Sequence, residues 1–199
     1  MHLVCLDLEG VLTPEIWISV AEKTGIAELR RTTRDEPDYD KLMRYRLEIL
    51  DRCHITLPMI QEVIGAINPL PGALEFMDWL KSQTRVIILS DTYAEFAKPL
   101  MAKLGYPTLF CHTIQSDKTG RITGYKLRQR DQKKKAVESF RSLGFRVISA
   151  GDSYNDLSML MASDYGIFFR PPQSLVDECP EFSVTTDHTQ LKSAIEALF

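Results

Sequence analysis

The chain has 199 residues, 44% of them hydrophobic, and its 24 basic and 27 acidic side chains leave a net charge of −3. That length supports one good core and a small insertion rather than two full domains. The near-balanced charge excludes the strong basic footprint that nucleic acid or an anionic membrane surface demands, so a small-molecule substrate fits better. Four cysteines, Cys5, Cys53, Cys111 and Cys179, form no Cys-x-x-Cys pair, which suits a reducing compartment more than a disulfide framework. No basic segment followed by an apolar signal region opens the chain, and apolar runs such as Val86 to Leu89 are far too short to span a bilayer, so cytoplasmic residence is expected.

In chain order, the apolar run Leu3-Val4-Cys5-Leu6 ends at Asp7. A period-two strand points Asp7 and Glu9 to the same side. At the carboxyl end of a central strand in an α/β sheet, two acids suggest chemistry or a metal. Between Pro14 and Pro71 the spacing turns helical: Trp17, Val20 and Ala21, then Leu42, Leu47, Ile49 and Leu50, then Ile60, Val63 and Ile64. We therefore expect a helical cap over residues 14–70 and a core made of residues 1–13 and 71–199. Ala73 to Gln83 resumes a helix, Val86 to Leu89 gives a strand ahead of Ser90-Asp91, and Thr113 to Leu127 reads as a short antiparallel hairpin around Asp117-Lys118-Thr119-Gly120. Val147 to Ala150 precedes Gly151-Asp152, and Gly166 to Phe169 and Ser183 to Thr185 complete the strands. The pattern predicts an α/β fold: a doubly wound, mostly parallel sheet with helices on both faces, right-handed crossovers and the helical cap inserted after strand 1.

Four separated elements occur in a fixed order: DLEGV at Asp7, LSD at Ser90, a lysine near Lys133, and GDSYND from Gly151 to Asp156. Together they resemble the haloacid dehalogenase superfamily of aspartate-dependent phosphotransferases across nearly the whole chain. The resemblance implies that Asp7 attacks phosphorus and forms an aspartyl-phosphate. It implies Mg²⁺ held by Asp7, Asp152 and the backbone carbonyl of Glu9, with Asp156 supporting the metal through a water or a neighbouring ligand. The plainer alternative for Asp156 is a favourable acid near a helix N-terminus. Ser90 would hydrogen-bond the phosphoryl oxygens, and Asn155 would contact substrate. Glu9, where the family more often has Asp, would act first as acid and then as base. Asp7 and Asp152 would raise its pKa and the metal and lysine would lower it, a balance the sequence leaves open. Lys133, Lys134 and Lys135 form a basic run of the kind that starts a solvated helix. An N-cap at Asp131 turns Lys133, rather than its neighbours, toward the phosphate.

Substrate must be read from the cap. Glu15 follows Asp7 by eight positions, and Arg46 lies in Leu42-Met43-Arg44-Tyr45-Arg46-Leu47. A carboxylate and a planar guanidinium converging above the metal match an ammonium and a carboxylate, whereas the plainer alternative is an exposed ion pair. The pair resembles the amino-acid-binding residues of phosphoserine phosphatases. DLEGVLTPEIW, LSDTY and AGDSYND together resemble the bifunctional phosphoserine phosphatase/homoserine phosphotransferases, which implies transfer from phosphoserine to water or to homoserine. Asp91 then either contributes to acceptor choice or packs as a polar side chain. A phosphatase for a sugar phosphate or nucleotide is the alternative enzyme. A receiver-type signalling module is disfavoured by the helical insertion and by Glu9. His2, His54, His112 and His188 lack metal-ligand spacing and read as structural or surface residues. Arg30, Arg31 and Arg34 read as a solvated helix end, and Trp17 and Trp79 as core anchors, with Trp17 near enough to Glu15 to line a pocket. The oligomeric state stays open, a homodimer included.

Overall fold

A computed structural model describes every residue except Arg34 and Pro37, so Arg34 of the basic cluster lies outside the described residues. Its seven-stranded sheet comprises β1 (His2–Leu6), β2 (Arg85–Tyr93), β3 (Thr108–Ser116), β4 (Ile122–Lys126), β5 (Arg146–Gly151), β6 (Tyr165–Phe169) and β7 (Ser183–Thr185). Their spatial order is β4-β3-β2-β1-β5-β6-β7, and every pairing is parallel except β3 with β4. This is the mostly parallel α/β sheet that the alternation of strands and helices predicts.

The helices are α1 (Ile16–Thr24), α2 (Tyr39–Arg52), α3 (Leu57–Ala66), α4 (Ala73–Gln83), α5 (Ala94–Lys103), α6 (Gln132–Ser142), α7 (Leu157–Ala162), α8 (Gln173–Glu178) and α9 (His188–Glu196). Central strand β1 is apolar and buried from Leu3 to Leu6 because both of its faces are covered. Val4 and Leu6 join one hydrophobic cluster with residues of α1 to α5 and α9, whereas Leu3 and Cys5 join another with Ala136 and Val137 of α6, Met159 and Leu160 of α7, and Leu175 of α8. Alternate residues of one strand thus serve two layers, which makes the sheet doubly wound.

The first strand ends where the apolar run predicts, but the period-two geometry does not continue to Glu9. It ends at Leu6, and the chain then turns so that Leu12 and Thr13 N–H donate to the carbonyl of Leu8. β2, in contrast, runs past Leu89 to Tyr93, and its pairing shifts from Leu89↔Phe110 to Tyr93↔His112. Ser90, Asp91 and Thr92 therefore bulge out of the ladder, a device that re-aims side chains at a sheet rim. The first half of β3 pairs in parallel with β2 before the hairpin with β4 begins. The sequence reading contains only the hairpin, because Leu109, Phe110 and Cys111 are half-buried and carry no clean period.

Residues 14–70 hold α1, α2 and α3. Their apolar side chains, among them Val20, Met43, Ile49 and Ile60, belong to the same cluster as Val4, Leu6 and Phe96. Three short helices cannot bury enough surface for a core of their own, so they share the sheet's. The two linkers run side by side, with Leu70 N–H donating to Leu12 O at 2.9 Å. The β3–β4 hairpin braces the far side: Leu57 N–H donates to Gly120 O at 2.8 Å, and Arg121 grips Asp51 at 2.6 and 2.9 Å.

Candidate active site

A cleft of about 340 Å³ at the carboxyl end of the sheet is lined by Asp7, Glu9, Glu15, Arg46, Ser90, Asp91, Lys133, Asp152 and Asn155, together with Trp17 and Tyr39. Nine of the ten residues singled out in the sequence thus meet in one place. The tenth, Asp156, lies fully buried behind it.

Asp7 follows β1, and its own N–H donates to Ala150 O at 3.0 Å, which extends the ladder to β5 and fixes the carboxylate at the rim. Lys133 Nζ is buried 2.9 Å from Asp7 Oδ1, 2.7 Å from Asp156 Oδ1 and 3.8 Å from Asp91 Oδ2. Burial alone would depress the lysine, but Asp156, Asp7 and Asp91 outweigh it and hold its pKa well above the usual range, so it stays charged. Lys134 is half-exposed beside Glu138 and Lys135 is exposed. The expected reason for this choice needs correcting: Asp131 sits at the N-cap position of α6 with φ 51°, but its carboxylate makes no cap bond and instead accepts from Ser158 Oγ at 2.9 Å.

Asp156 closes a reciprocal cap with Ser153 on a short turn over Tyr154–Asp156. One of its oxygens accepts from Lys133 and the other from the backbone N–H groups of Asp152 and Ser153 at 3.0 and 3.2 Å. Carboxylate oxygens of Asp7, Asp152 and Asp156 all lie within 4.8 Å of one another. Burial, then Asp156 and other neighbouring acids, push Asp7 well above the usual carboxylate range despite Lys133. The same two causes, with Glu15 added, push Asp152 up to about 7. A set of hard oxygen donors crowded around one lysine fits a small divalent cation such as Mg²⁺. The turn after β1 fits as well: Gly10 has φ +80°, and a Cβ there would fall 2.4 Å from the Asp152 carboxylate. Only glycine lets the backbone beside Glu9 approach so closely.

Glu9 departs from expectation in its neighbours. Its Oε2 accepts from Ile16 N–H at 2.8 Å, so the carboxylate sits at the start of α1. Burial is the largest cause pushing it up to about 8, followed by Glu15, not by Asp7 or Asp152, while the Ile16 N–H, Arg46 and Lys133 act against the rise. Glu15 is exposed at the N-cap position of α1. Arg46 is only 6% exposed, which rules out the exposed ion pair. Its guanidinium lies 4.4 Å from the Trp17 ring centre, Nη2 donates to Arg31 O at 2.8 Å, and Nε has no partner among the described residues.

Ser90 is buried, and its Oγ accepts from Thr92 N–H at 3.2 Å. Asp91 is clasped by residues the motifs do not name: Gln132 Nε2 donates to its Oδ1 at 3.0 Å and to Ser90 O at 2.6 Å, and His112 Nε2 lies 3.4 Å from Oδ1. Burial opposes ionisation of Asp91, but Lys133, His112 and Gln132 prevail and hold it well below the usual range. His112, expected only as a structural or surface residue, is therefore a buried member of the site's surroundings. Asn155 is exposed, its Oδ1 accepting from Ser153 Oγ at 2.6 Å.

Comparison with known proteins agrees with this arrangement. The haloacid dehalogenase-like hydrolase family matches residues 7–161. The chain is 54% identical over 192 residues to phosphoserine phosphatase ThrH of Pseudomonas aeruginosa, covering 96% of this chain and 94% of that protein. It is 53% identical over 192 residues to a phosphoserine phosphatase of Pseudomonas syringae pv. tomato, covering 96% and 81% respectively. A solved structure described as a phospho-aspartyl intermediate analogue of phosphoserine phosphatase shares the fold with a TM-score of 0.79 at 18% identity, over 97% of this chain and 98% of that one. With its rim aspartate, buried lysine and glycine-aspartate turn in place, this chain belongs to the haloacid dehalogenase-like hydrolase family.

Proposed function

We propose that the chain is a Mg²⁺-dependent phosphoserine phosphatase that passes the phosphoryl group through an aspartyl-phosphate at Asp7 to water or to homoserine. The observation that carries this reading is a single cleft in which the Asp7–Lys133 pair faces a buried Arg46 and an acidic Glu15. An Arg fork beside a carboxylate complements the two charged ends of an amino acid, and the relatives named phosphoserine phosphatase match almost end to end.

An Asp7 oxygen attacks phosphorus, the bond from phosphorus to the serine oxygen breaks, and the leaving oxygen takes a proton from Glu9. Glu9 then takes a proton from water or from the homoserine hydroxyl, whose oxygen attacks phosphorus as the bond to Asp7 breaks and the Asp7 carboxylate is restored. Asp7, Asp152 and the Glu9 carbonyl would hold Mg²⁺, which when bound offsets the repulsion between the carboxylate and the phosphate dianion. Lys133 supplies a fixed positive charge at the phosphoryl oxygens, and Ser90 adds a hydroxyl. The bond from Ile16 N–H fixes the orientation of the Glu9 carboxylate. Residues 14–70 act as the cap that carries Glu15, Arg46 and Trp17. Asp156 supports Lys133 and the Asp152 backbone.

The test is phosphoserine turnover with Mg²⁺, with and without homoserine, following phosphate and phosphohomoserine. Phosphoserine should be hydrolysed faster than sugar phosphates or nucleotides, homoserine should be phosphorylated, and Asp7→Asn should abolish both reactions with an unchanged melting curve. An active Asn variant free of deamidation would remove Asp7 as nucleophile, and equal rates on all esters would remove the amino-acid assignment.

A further inference from the structure

Tyr39, the first residue of α2, brings its hydroxyl 3.2 Å from the carbonyl oxygen of Asp91 and 2.8 Å from the hydroxyl of Tyr93. Burial pushes both phenols upward, so both keep their protons. With one proton each, a single order satisfies the chain: Tyr93 donates to the Tyr39 oxygen and Tyr39 donates to Asp91 O. Both rings are wedged in an aromatic group, with Tyr125 centred 6.1 Å from each and Phe96 5.4 Å from Tyr93. The far end of the bulged Ser90–Asp91–Thr92 segment is held to α6 by Gln132. One hydroxyl therefore joins the cleft wall formed by α2 to the segment that carries Ser90.

We propose that Tyr39 is a positioning residue that holds this wall closed over phosphorylated Asp7 and so favours an alcohol acceptor over water. The inference rests on the phosphoserine reading above. In the second half-reaction the bond from Asp7 oxygen to phosphorus breaks, a bond from the acceptor oxygen to phosphorus forms, and the acceptor's proton passes to Glu9, whichever acceptor is used. An amino-acid alcohol is held in place by Glu15 and Arg46, whereas water needs only access. A loosened wall admits water without improving the alcohol's position, so it lowers the alcohol's share.

The experiment supplies phosphoserine, Mg²⁺ and isotopically labelled serine to the intact chain and measures labelled phosphoserine formed per phosphate released. Both products arise from the same phosphorylated enzyme, so their ratio does not depend on how much of a variant is folded. Tyr39→Phe, which removes one oxygen, should lower the ratio about three- to tenfold, the factor that one hydrogen bond commands. Tyr93→Phe should lower it less, and the double variant should match Tyr39→Phe because the bonds run in series. Normal phosphate release with an unchanged ratio in Tyr39→Phe overturns this inference alone. A wild-type chain that releases no phosphate from phosphoserine overturns the phosphoserine reading as well.

Discussion

Arg46 illustrates how much one side chain can reveal when its surroundings are incomplete. A guanidinium is costly to bury unless its donors are occupied, yet here Nε has no partner among the described residues, while the Trp17 ring covers the guanidinium plane and Arg31 O accepts from Nη2. Burial lowers its pKa, and Tyr39, Glu9, Tyr93 and Glu15 act against that, so the charge is held for a further anionic partner. On the phosphoserine reading, that partner is the substrate carboxylate. Replacing Arg46 with Lys keeps a charge but loses the planar fork. We expect Arg46→Lys to lower kcat/KM for phosphoserine by roughly 10- to 100-fold, the worth of a charge-assisted hydrogen bond, and to change the rate on a phosphomonoester without a carboxylate far less. Equal losses on the two substrates would place Arg46 in the scaffold instead.

At the scale of elements, the decisive contact lies away from the cleft. His188, at the start of α9, is buried with Nε2 2.9 Å from Val11 O and Nδ1 2.9 Å from Pro71 O. Val11 and Pro71 lie on the two linkers between the sheet and residues 14–70, so one imidazole bridges the way in and the way out. Phe76 and Phe169 flank it, with ring centres 5.5 and 4.7 Å away. His188→Ala removes the bridge and leaves a linker carbonyl without its N–H donor. The expected cost is about 2 kcal/mol, a drop in Tm of roughly 4–8 °C, while His188→Gln, which keeps one donor, should lose less. A thermal melt of the two variants decides it, and an unchanged midpoint in the alanine variant would show that the bridge carries no stability.

At the scale of the whole molecule, the helical segment and the sheet share one apolar cluster, so the cleft is built between parts that fold together. Its floor concentrates Asp7, Asp152 and Asp156 around Lys133, an excess of negative charge that a cation relieves. Mg²⁺ should therefore stabilise the entire fold. At a hundredfold excess over Kd the gain is about 2.7 kcal/mol, or roughly 5–10 °C in Tm for a chain of this size, and Asp152→Asn should erase most of that shift. A midpoint indifferent to Mg²⁺ and to chelator would mean that the acidic group binds no metal.

The sheet class and the residues on the floor of the cleft are legible in the chain before it folds. Asp7 and Ser90 each end an apolar run and Asp152 follows the mostly apolar Val147 to Gly151, and strand ends are legible because burial on both faces demands mostly hydrophobic residues. Lys133 was legible as one of three candidates. The sequence favoured Lys133 for a cap at Asp131 that does not form; the tertiary structure supplies the physical reason, by burying that lysine against three aspartates, and only it set the neighbours that raise Glu9. It also supplied the parallel half of β3 and the parts played by Tyr39, Tyr93, His112, Gln132 and His188. Their partners lie far off in the chain, 52 positions away for Tyr39 and Asp91 and 117 for His188 and Pro71. Local periodicity records which face a residue turns inward. It cannot record which distant polar group waits there, because that pairing exists only once the chain has closed on itself.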